Sequence, residues 1–198
     1  MYRCVLFDLG QVIVRFDLMQ ALNKILVVTN ASVAEINAFF KSEPERLFTE
    51  GQLTKEEFFG IAKRELKLNL NIDGFAEIYN GIFSLDEKVA EIISELEGKV
   101  RLALLSNTND FHFPYILKKF PIMEKFEEYV VSYEEKCQKP GKLIFEKTLK
   151  RLNLKSNEII FIDDTFENIV TASQMGFFSV HHKSADDLRK KLLEAGVL

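Results

Sequence analysis

Five short apolar runs that each end in polar residues constrain the fold of this chain more than any other feature. They cover residues 4–7, 100–105, 129–131, 159–162 and 177–180. Short runs without alternation of apolar and polar residues are typical of strands buried on both faces of a parallel sheet. Segments with helical periodicity lie at residues 86–96, 111–119, 142–152, 167–175 and 185–194. Strands that alternate with helices predict right-handed crossovers and an α/β fold with a doubly wound parallel sheet.

Residues 16–85 interrupt this alternation, because they show helical periodicity without a convincing strand. Four helices are predicted there, over residues 17–28, 32–41, 54–67 and 72–83. Ser32 and Thr54 are suitable N-caps, and Glu57 completes a capping box with Thr54. The chain is therefore predicted to divide into an α/β core, residues 1–15 plus 86–198, and an inserted helical cap, residues 16–85.

The charge balance and the apolar content exclude several classes of protein. Lysine and arginine number 26 and aspartate and glutamate 30, so the formal net charge of the 198 residues is −4. This disfavours a nucleic-acid-binding protein, which needs a dense basic surface. The apolar run before Asp8 is far shorter than a signal-peptide core or a membrane span, so a cytoplasmic protein without membrane contact is expected. Cys4 and Cys137 are expected to be reduced thiols in that compartment.

Polar residues follow three of the apolar runs at the point where each predicted strand ends. Asp8 follows the first run, Ser106 and Asn107 the second, and Asp163 and Asp164 the fourth. Ligands of doubly wound sheets bind beyond the carboxyl ends of the strands, so these side chains should converge. Adjacent carboxylates repel each other unless positive charge lies nearby, and Mg²⁺ prefers such oxygen ligands. Each feature alone is also explained by a turn or a helix cap, but together they favour a metal site.

Two further features suit a phosphate ligand. Ser106 and Asn107 supply a hydroxyl group and turn amides for phosphate oxygens, although they can equally cap the helix predicted to follow. Lys139 and Pro140 precede another predicted helix, where a proline is ordinary and a lysine is commonly surface charge. Only the combination with the acidic residues is specific.

In this order the motifs resemble those of the haloacid dehalogenase superfamily, and the resemblance covers essentially the whole chain. The motifs that carry it are Asp8-Leu9-Gly10, Ser106-Asn107, Lys139-Pro140, and Asp163-Asp164 with Asn168. The helical insert after the first strand is similar to the smaller cap class of that superfamily. Within it, the sequence resembles a bacterial branch that includes the α-D-glucose-1-phosphate phosphatases, and it is also similar to the phosphatase domain of soluble epoxide hydrolases.

The resemblance implies a nucleophile and a metal site. Asp8 would attack phosphorus and form an aspartyl-phosphate. Mg²⁺ would be held by the Asp8 carboxylate, the Gly10 backbone carbonyl and Asp164, with Asp163 contributing through water. The ion would neutralise the repulsion between the two anions and orient the phosphoryl group.

The resemblance also implies roles for the remaining motif residues. Ser106 and the Asn107 amide would bind the phosphate oxygens, and Lys139 would add positive charge there and brace Asp8. Asn168 would orient the acidic pair or a metal-bound water.

Gly10 departs from the pattern of the superfamily, whose phosphatases mostly have a second aspartate two residues after the nucleophile. That aspartate protonates the leaving group, and such acid/base catalysis is typically worth ~10²–10⁴ in rate. An anomeric phosphate would lessen the deficit, because a hemiacetal hydroxyl is a better leaving group than an ordinary alcohol. Gln11 could position water but cannot take up a proton.

The sequence thus predicts a Mg²⁺-dependent phosphatase that acts on a small phosphorylated metabolite such as a sugar phosphate, and that is a monomer or weak homodimer. The alternatives are a metal-free 2-haloacid dehalogenase and a catalytically weak phosphate-binding or regulatory module. A signalling receiver domain fits less well, because it places the acidic pair on the first strand and lacks a helical insert.

Three histidines, His112, His181 and His182, are expected at the surface or at strand ends, since none has a metal-site partner at suitable spacing.

Overall fold

The computed structural model describes residues 1–198, and a five-stranded parallel sheet forms the centre of the predicted core. The seven strands of the chain are β1 Cys4–Phe7, β2 Val14–Phe16, β3 Phe83–Leu85, β4 Arg101–Ser106, β5 Glu128–Val131, β6 Ile159–Asp163 and β7 Phe178–His181. The large sheet has the order β5-β4-β1-β6-β7, with every neighbouring pair parallel. All five predicted sheet strands are confirmed to within one residue at either end, and so is the doubly wound α/β fold.

Helices account for most of the remaining chain. They are α1 Leu18–Val27, α2 Val33–Phe39, α3 Glu43–Thr49, α4 Lys55–Glu65, α5 Ile72–Asn80, α6 Glu87–Leu96, α7 His112–Lys119, α8 Ser132–Glu135, α9 Lys142–Leu152, α10 Phe166–Gln174 and α11 Ala185–Glu194. Short 3₁₀ turns lie at Pro121–Lys125 and Ser156–Glu158. None of these helices is both long enough and apolar enough to cross a membrane.

The side chains of β1 show why the strands are continuous apolar runs. Val5 and Phe7 belong to a buried cluster with residues of α6, α7 and α11. Cys4 and Leu6 belong to a second cluster with residues of α9 and α10. Because helices cover both faces of the sheet, successive strand residues are all buried.

The cap differs from its prediction in two places. The helix predicted over residues 72–83 ends at Asn80, because Phe83–Leu85 forms β3, which pairs antiparallel with β2. Strands of three residues are too short to show a period in the sequence, so this ribbon was not predicted. Helix α3 was also missed, although Pro44 in its first turn is compatible with a helix start.

The β2-β3 ribbon lies at the junction of the two predicted parts. Its strand β2 crosses the predicted boundary at 15/16, and β3 ends at the predicted boundary at 85/86. The division into residues 1–15 plus 86–198 and residues 16–85 therefore stays a prediction.

The cap has its own aromatic core, which one residue from outside the cap enters. Phe48 and Phe58 stack with their ring centroids 4.3 Å apart. Phe111, which precedes α7, belongs to this same buried cluster and contacts Phe48 at 5.7 Å between centroids. A hydrogen bond of 2.7 Å from Ser132 Oγ to the carbonyl of Thr49 adds a second contact between the parts. The cap is thus packed against the sheet edge that carries the polar strand ends.

Candidate active site

The carboxylates predicted at the strand ends do converge. The register pairs Phe7 of β1 with Ile162 of β6, and the Asp8 N–H donates to the Ile162 carbonyl at 2.8 Å. Asp8 therefore lies beside Asp163. Carboxylate oxygens of Asp8, Asp163 and Asp164 all lie within 4.8 Å of one another. The sheet, rather than any local motif, brings together residues that are more than 150 positions apart.

Lys139 lies between two of these carboxylates and is almost completely buried. Its Nζ donates to Asp8 Oδ1 at 2.8 Å, to Asp163 Oδ2 at 2.6 Å and to the Leu105 carbonyl at 2.9 Å. An ammonium group has three hydrogens, so all of its donors have partners within the protein. Lys139 thus holds Asp8 in place with donors that all have protein acceptors, and its direct binding to phosphate stays a prediction.

The side chain of Asn107 fixes the backbone of Lys139. Asn107 Nδ2 donates to the Lys139 carbonyl at 2.8 Å, and Asn107 Oδ1 accepts from the Lys139 N–H at 2.8 Å. This leaves only the backbone N–H of Asn107, which has no acceptor in the protein, to meet a ligand. Ser106 Oγ makes one long contact of 3.4 Å, to the Asn107 carbonyl, so its hydroxyl is also available.

The two residues of the acidic pair have different surroundings. Asp163 is fully buried and accepts from Lys139, from the Thr165 N–H at 2.8 Å and from Asn168 Nδ2 at 3.0 Å on each oxygen. Asn168 therefore orients the acidic pair through Asp163. Asp164 is only partly buried and its carboxylate makes no ion pair and no hydrogen bond to another residue, so it is the member free to ligate a cation.

The cluster is short of positive charge. Three carboxylates face the single ammonium of Lys139. Burial raises the pKa of Asp8, and the charge of Asp163 raises it further, while Lys139 opposes both effects. Burial and the neighbouring Asp163 likewise raise the pKa of Asp164. Burial alone would lower the pKa of Lys139, but Asp8 and Asp163 raise it above its usual value, so the ammonium stays charged. With three negative charges and one positive, the cluster matches a divalent cation with oxygen ligands such as Mg²⁺.

Gly10 lies in a tight turn directly after Asp8. Gln11 has a φ of +56°, a left-handed conformation that non-glycine residues seldom adopt. A Cβ atom on Gly10 would lie 3.1 Å from Cε1 of Phe16. The Phe16 ring thus lies where the side chain of an acid/base aspartate would begin.

Two cavities lie on this side of the molecule, and the first of them adjoins the turn. The first, of about 180 Å³, is lined by Gly10, Ser106 and Asn107 together with apolar residues of the β2-β3 ribbon. The second, of about 270 Å³, lies within the cap and is called the cap cavity below. Leu18, Ile82 and His112 line both cavities. The cavity beside Ser106 and Asn107 and the cap cavity therefore share a common wall.

His112 is partly buried and begins α7, whereas a position at the surface or at a strand end is expected from the sequence. Its ring lies 4.0 Å from the Tyr79 ring and 4.9 Å from the Phe83 ring, measured between centroids. Burial lowers its pKa to about 3, so the imidazole is neutral. No signal in the sequence revealed this position, because it depends on how the cap packs against the first turn of α7.

Residues 2–176 match the haloacid dehalogenase-like hydrolase family, and the chain belongs to that family. The D-ribitol-5-phosphate phosphatase of Bacteroides thetaiotaomicron is 24% identical over 203 residues, with 97% of this chain and 97% of that protein covered. The sesquiterpene phosphatase astK of Aspergillus oryzae is 21% identical over 182 residues, with 91% and 89% covered.

A solved structure shares the fold. The crystal structure of the HAD family enzyme bt-2542 from Bacteroides thetaiotaomicron, in complex with magnesium and inorganic phosphate, superposes with a TM-score of 0.85 at 23% identity. The superposition covers 92% of this chain and 95% of that one. The protein is thus a hydrolase of the haloacid dehalogenase-like family in sequence and in fold.

Proposed function

We propose that this protein is a Mg²⁺-dependent phosphatase that hydrolyses small phosphate monoesters through an aspartyl-phosphate on Asp8. The observation that carries the proposal is the buried cluster in which three carboxylates face one fully bonded lysine. Such a cluster requires about two further positive charges, which a divalent cation supplies. Related proteins that are named phosphatases, and a fold relative that binds magnesium and phosphate, support the same activity.

The residues that would hold Mg²⁺ are Asp8, the Gly10 carbonyl and Asp164, with Asp163 acting through water. When bound, the ion supplies positive charge that offsets the repulsion between Asp8 and the phosphate and orients the phosphoryl group. Lys139 holds the Asp8 carboxylate in place through its hydrogen bond.

The reaction proceeds in two steps at Asp8. A carboxylate oxygen of Asp8 attacks phosphorus, the bond from phosphorus to the ester oxygen breaks, and the alcohol takes up a proton from water. Water then hydrolyses the aspartyl-phosphate, which returns the carboxylate and releases inorganic phosphate. The Ser106 hydroxyl and the Asn107 N–H bind the phosphoryl oxygens in both steps.

The alternatives fit the site less well. A 2-haloacid dehalogenase acts on a carboxylate substrate, and a cluster with net negative charge would repel it. The other alternative is a regulatory module that binds phosphate without hydrolysing an ester, because Gly10 replaces the acid/base aspartate. A cytoplasmic location and a monomeric or weakly dimeric state remain predictions.

Two classes of alcohol are candidates for the alcohol part of the substrate. The sequence led us to expect a sugar phosphate, including an anomeric phosphate such as glucose-1-phosphate. The two phosphatase relatives act, by name, on a polyol phosphate and on a sesquiterpene, so they support different alcohols.

Acetyl phosphate tests the proposed function without depending on the alcohol, because its leaving group is small and needs no protonation. We expect hydrolysis that requires Mg²⁺, stops with EDTA and is lost in Asp8→Asn. Turnover of 2-chloropropionate that survives EDTA would identify a dehalogenase instead. Binding of inorganic phosphate without turnover of acetyl phosphate above the Asp8→Asn level would identify the regulatory module.

A further inference from the structure

The cap cavity has an apolar wall built from two helices. Leu18, Leu22 and Ile25 lie on one face of α1, at the spacing of successive helical turns, and all three line the cavity. Ile36, in the middle of α2, and Phe40, which follows its last residue, line it from another side. A polyol placed against this wall would lose hydrogen bonds to water without replacement.

The polar groups that line the inner part of the cavity are already paired with each other. Tyr79 is buried, and its hydroxyl donates to the Glu45 carboxylate at 3.2 Å. The same hydroxyl accepts from Asn109 Nδ2 at 3.3 Å. Two other polar lining residues, Asn37 and Lys41, are exposed and accessible to water. Few inner groups therefore remain to bind the hydroxyls of a sugar.

The hydrogen bonds around Asn109 determine the proton position on His112. Asn109 Oδ1 accepts from the N–H groups of Phe111 and His112 at 3.1 and 3.0 Å, which fixes the orientation of the amide. Asn109 Nδ2 is then the donor to His112 Nδ1, at 3.4 Å. In a neutral ring the proton must therefore be on Nε2. That Nε2 is buried and has no partner in the protein.

Resting on the proposed phosphatase function, we propose that the substrates are phosphate monoesters of apolar alcohols, with the hydrocarbon in the cap cavity and the His112 Nε2–H donating to an ester oxygen. His112 lines both cavities, so it lies where the phosphate end and the hydrocarbon end of such an ester meet. The bond would satisfy the unpartnered N–H of His112. It would also stabilise charge on the departing oxygen, in a site where Gly10 supplies no acid.

A matched pair of substrates tests the hydrocarbon part. n-Hexyl phosphate and a hexitol 6-phosphate have the same number of carbons and the same primary phosphate ester, and differ in hydroxyl groups alone. We expect kcat/KM to favour hexyl phosphate by 100-fold or more, and to rise by about 4-fold for each methylene from ethyl to hexyl phosphate. Equal or faster turnover of the hexitol phosphate would overturn the proposal.

Acetyl phosphate distinguishes failure of the apolar-substrate proposal from failure of the proposed phosphatase function. If acetyl phosphate is hydrolysed with Mg²⁺ and Asp8, but hexyl phosphate is no better than the hexitol ester, the phosphatase stands and the apolar substrate class is wrong. If acetyl phosphate is not hydrolysed, the proposed function itself fails.

Substitutions in the wall of the cap cavity test whether the hydrocarbon binds there. Leu22→Gln should lower the ratio of kcat/KM for hexyl phosphate to that for acetyl phosphate by at least 10-fold. Leu143→Gln is the matched control, because Leu143 lies on α9 with 52% of its surface exposed and lines neither cavity. The same ratio should be unchanged in the control, and an equal drop in both variants would contradict the placement.

Two variants of His112 test the hydrogen bond. His112→Phe keeps an aromatic ring between Tyr79 and Phe83 but removes the donor, whereas His112→Gln retains an N–H. We expect His112→Phe to lower kcat for hexyl phosphate by at least 10-fold and His112→Gln to recover part of that loss, with Tm measured for both. A kcat for His112→Phe equal to that of the wild type would show that His112 makes no such bond.

Discussion

At the scale of single residues, Lys139 is a buried positive charge within a candidate site for a metal cation. Its ammonium has three protein partners, and two of them are the carboxylates of Asp8 and Asp163. Truncation of one partner of such a buried pair usually costs 3–5 kcal/mol, because the other charge is left unpaired. Lys139 is therefore a structural requirement of the charged site as well as a brace for Asp8.

Gly10 and Phe16 allow the missing acid to be restored. Gly10→Asp together with Phe16→Ala supplies a carboxyl group and removes the ring 3.1 Å from the new Cβ. We expect kcat for alkyl phosphates to rise by at least 10-fold, toward the ~10²–10⁴ typical of a positioned acid. Acetyl phosphate should gain little, because its leaving group needs no proton. The measurement is steady-state kinetics on both substrates.

The matched control for that prediction is Gly10→Asn with Phe16→Ala, which has the same shape but cannot transfer a proton. An equal gain in this control would show that added space, rather than an acid, increased the rate. Gly10→Asp alone should gain less than the double variant, because the Phe16 ring has to move.

His112 predicts a dependence of stability on pH. Its pKa is lowered to about 3 in the folded protein, so between pH 6.5 and pH 3 the unfolded chain binds more protons than the folded one. The contribution of His112 to the free energy of unfolding is therefore complete above pH 6.5 and falls as the pH falls. Between pH 7.5 and pH 5 the loss should reach about 2 kcal/mol.

Urea denaturation of the wild type and of His112→Gln at both pH values measures this loss as a difference between the two proteins. The difference is needed because burial raises the pKa of Glu45 to about 7, which makes acidification stabilising through that residue. A difference between wild type and variant that does not change with pH would mean that His112 is not buried as a neutral ring.

At the scale of elements, the contact between the cap and α8 depends on a glycine. Gly51 has a φ of +62°, and a Cβ on it would lie 1.9 Å from the Tyr133 carbonyl oxygen. Gly98 has a similar φ of +75° but open space around it. Both positions disfavour a side chain through the backbone, and only Gly51 adds a clash.

Gly51→Ala and Gly98→Ala therefore form a matched pair. We expect Gly98→Ala to lower the free energy of unfolding by about 1 kcal/mol, from the left-handed backbone alone. Gly51→Ala should lower it by about 3 kcal/mol, because displacement of a packed neighbour typically adds 1–3 kcal/mol. Chemical denaturation measures both values. Equal losses would mean that the cap does not pack against α8 at this glycine.

The elements that the sequence predicted well are those with a complete local signal. Helices α9 and α11 have their predicted bounds, and the predicted N-caps Ser32 and Thr54 both form capping boxes. The β2-β3 ribbon has no such signal, because it is stabilised by pairing between segments almost 70 residues apart. Its physical cause is long-range, so a local pattern could not reveal it.

At the scale of the whole molecule, the charge deficit of the site predicts that a metal ion stabilises the fold. A ligand that binds only the folded state raises the free energy of unfolding by about 2.7 kcal/mol at 100 times its Kd. We expect Mg²⁺ to raise Tm and EDTA to remove the gain. In Asp164→Asn the gain should be much smaller, because that carboxylate has no other partner. Thermal unfolding with and without Mg²⁺ measures the effect.

Asp186→Asn serves as the control for the metal prediction. Asp186 is also a carboxylate, but its side chain is 84% exposed and it is not a member of the acidic cluster. It should keep the full gain in Tm with Mg²⁺. A wild type whose Tm does not respond to Mg²⁺ would contradict the metal site.

The sequence alone determined the sheet and the convergence of Asp8, Asp163 and Asp164. Burial on both faces requires runs of consecutive apolar residues, and parallel strands bring their carboxyl ends to one edge whatever their connections contain. Only the tertiary structure decided that Lys139 donates to three protein acceptors and that the His112 ring lies between Tyr79 and Phe83. These properties depend on distances between side chains from separate elements, and such distances follow from the packing of the cap on the sheet rather than from any local pattern.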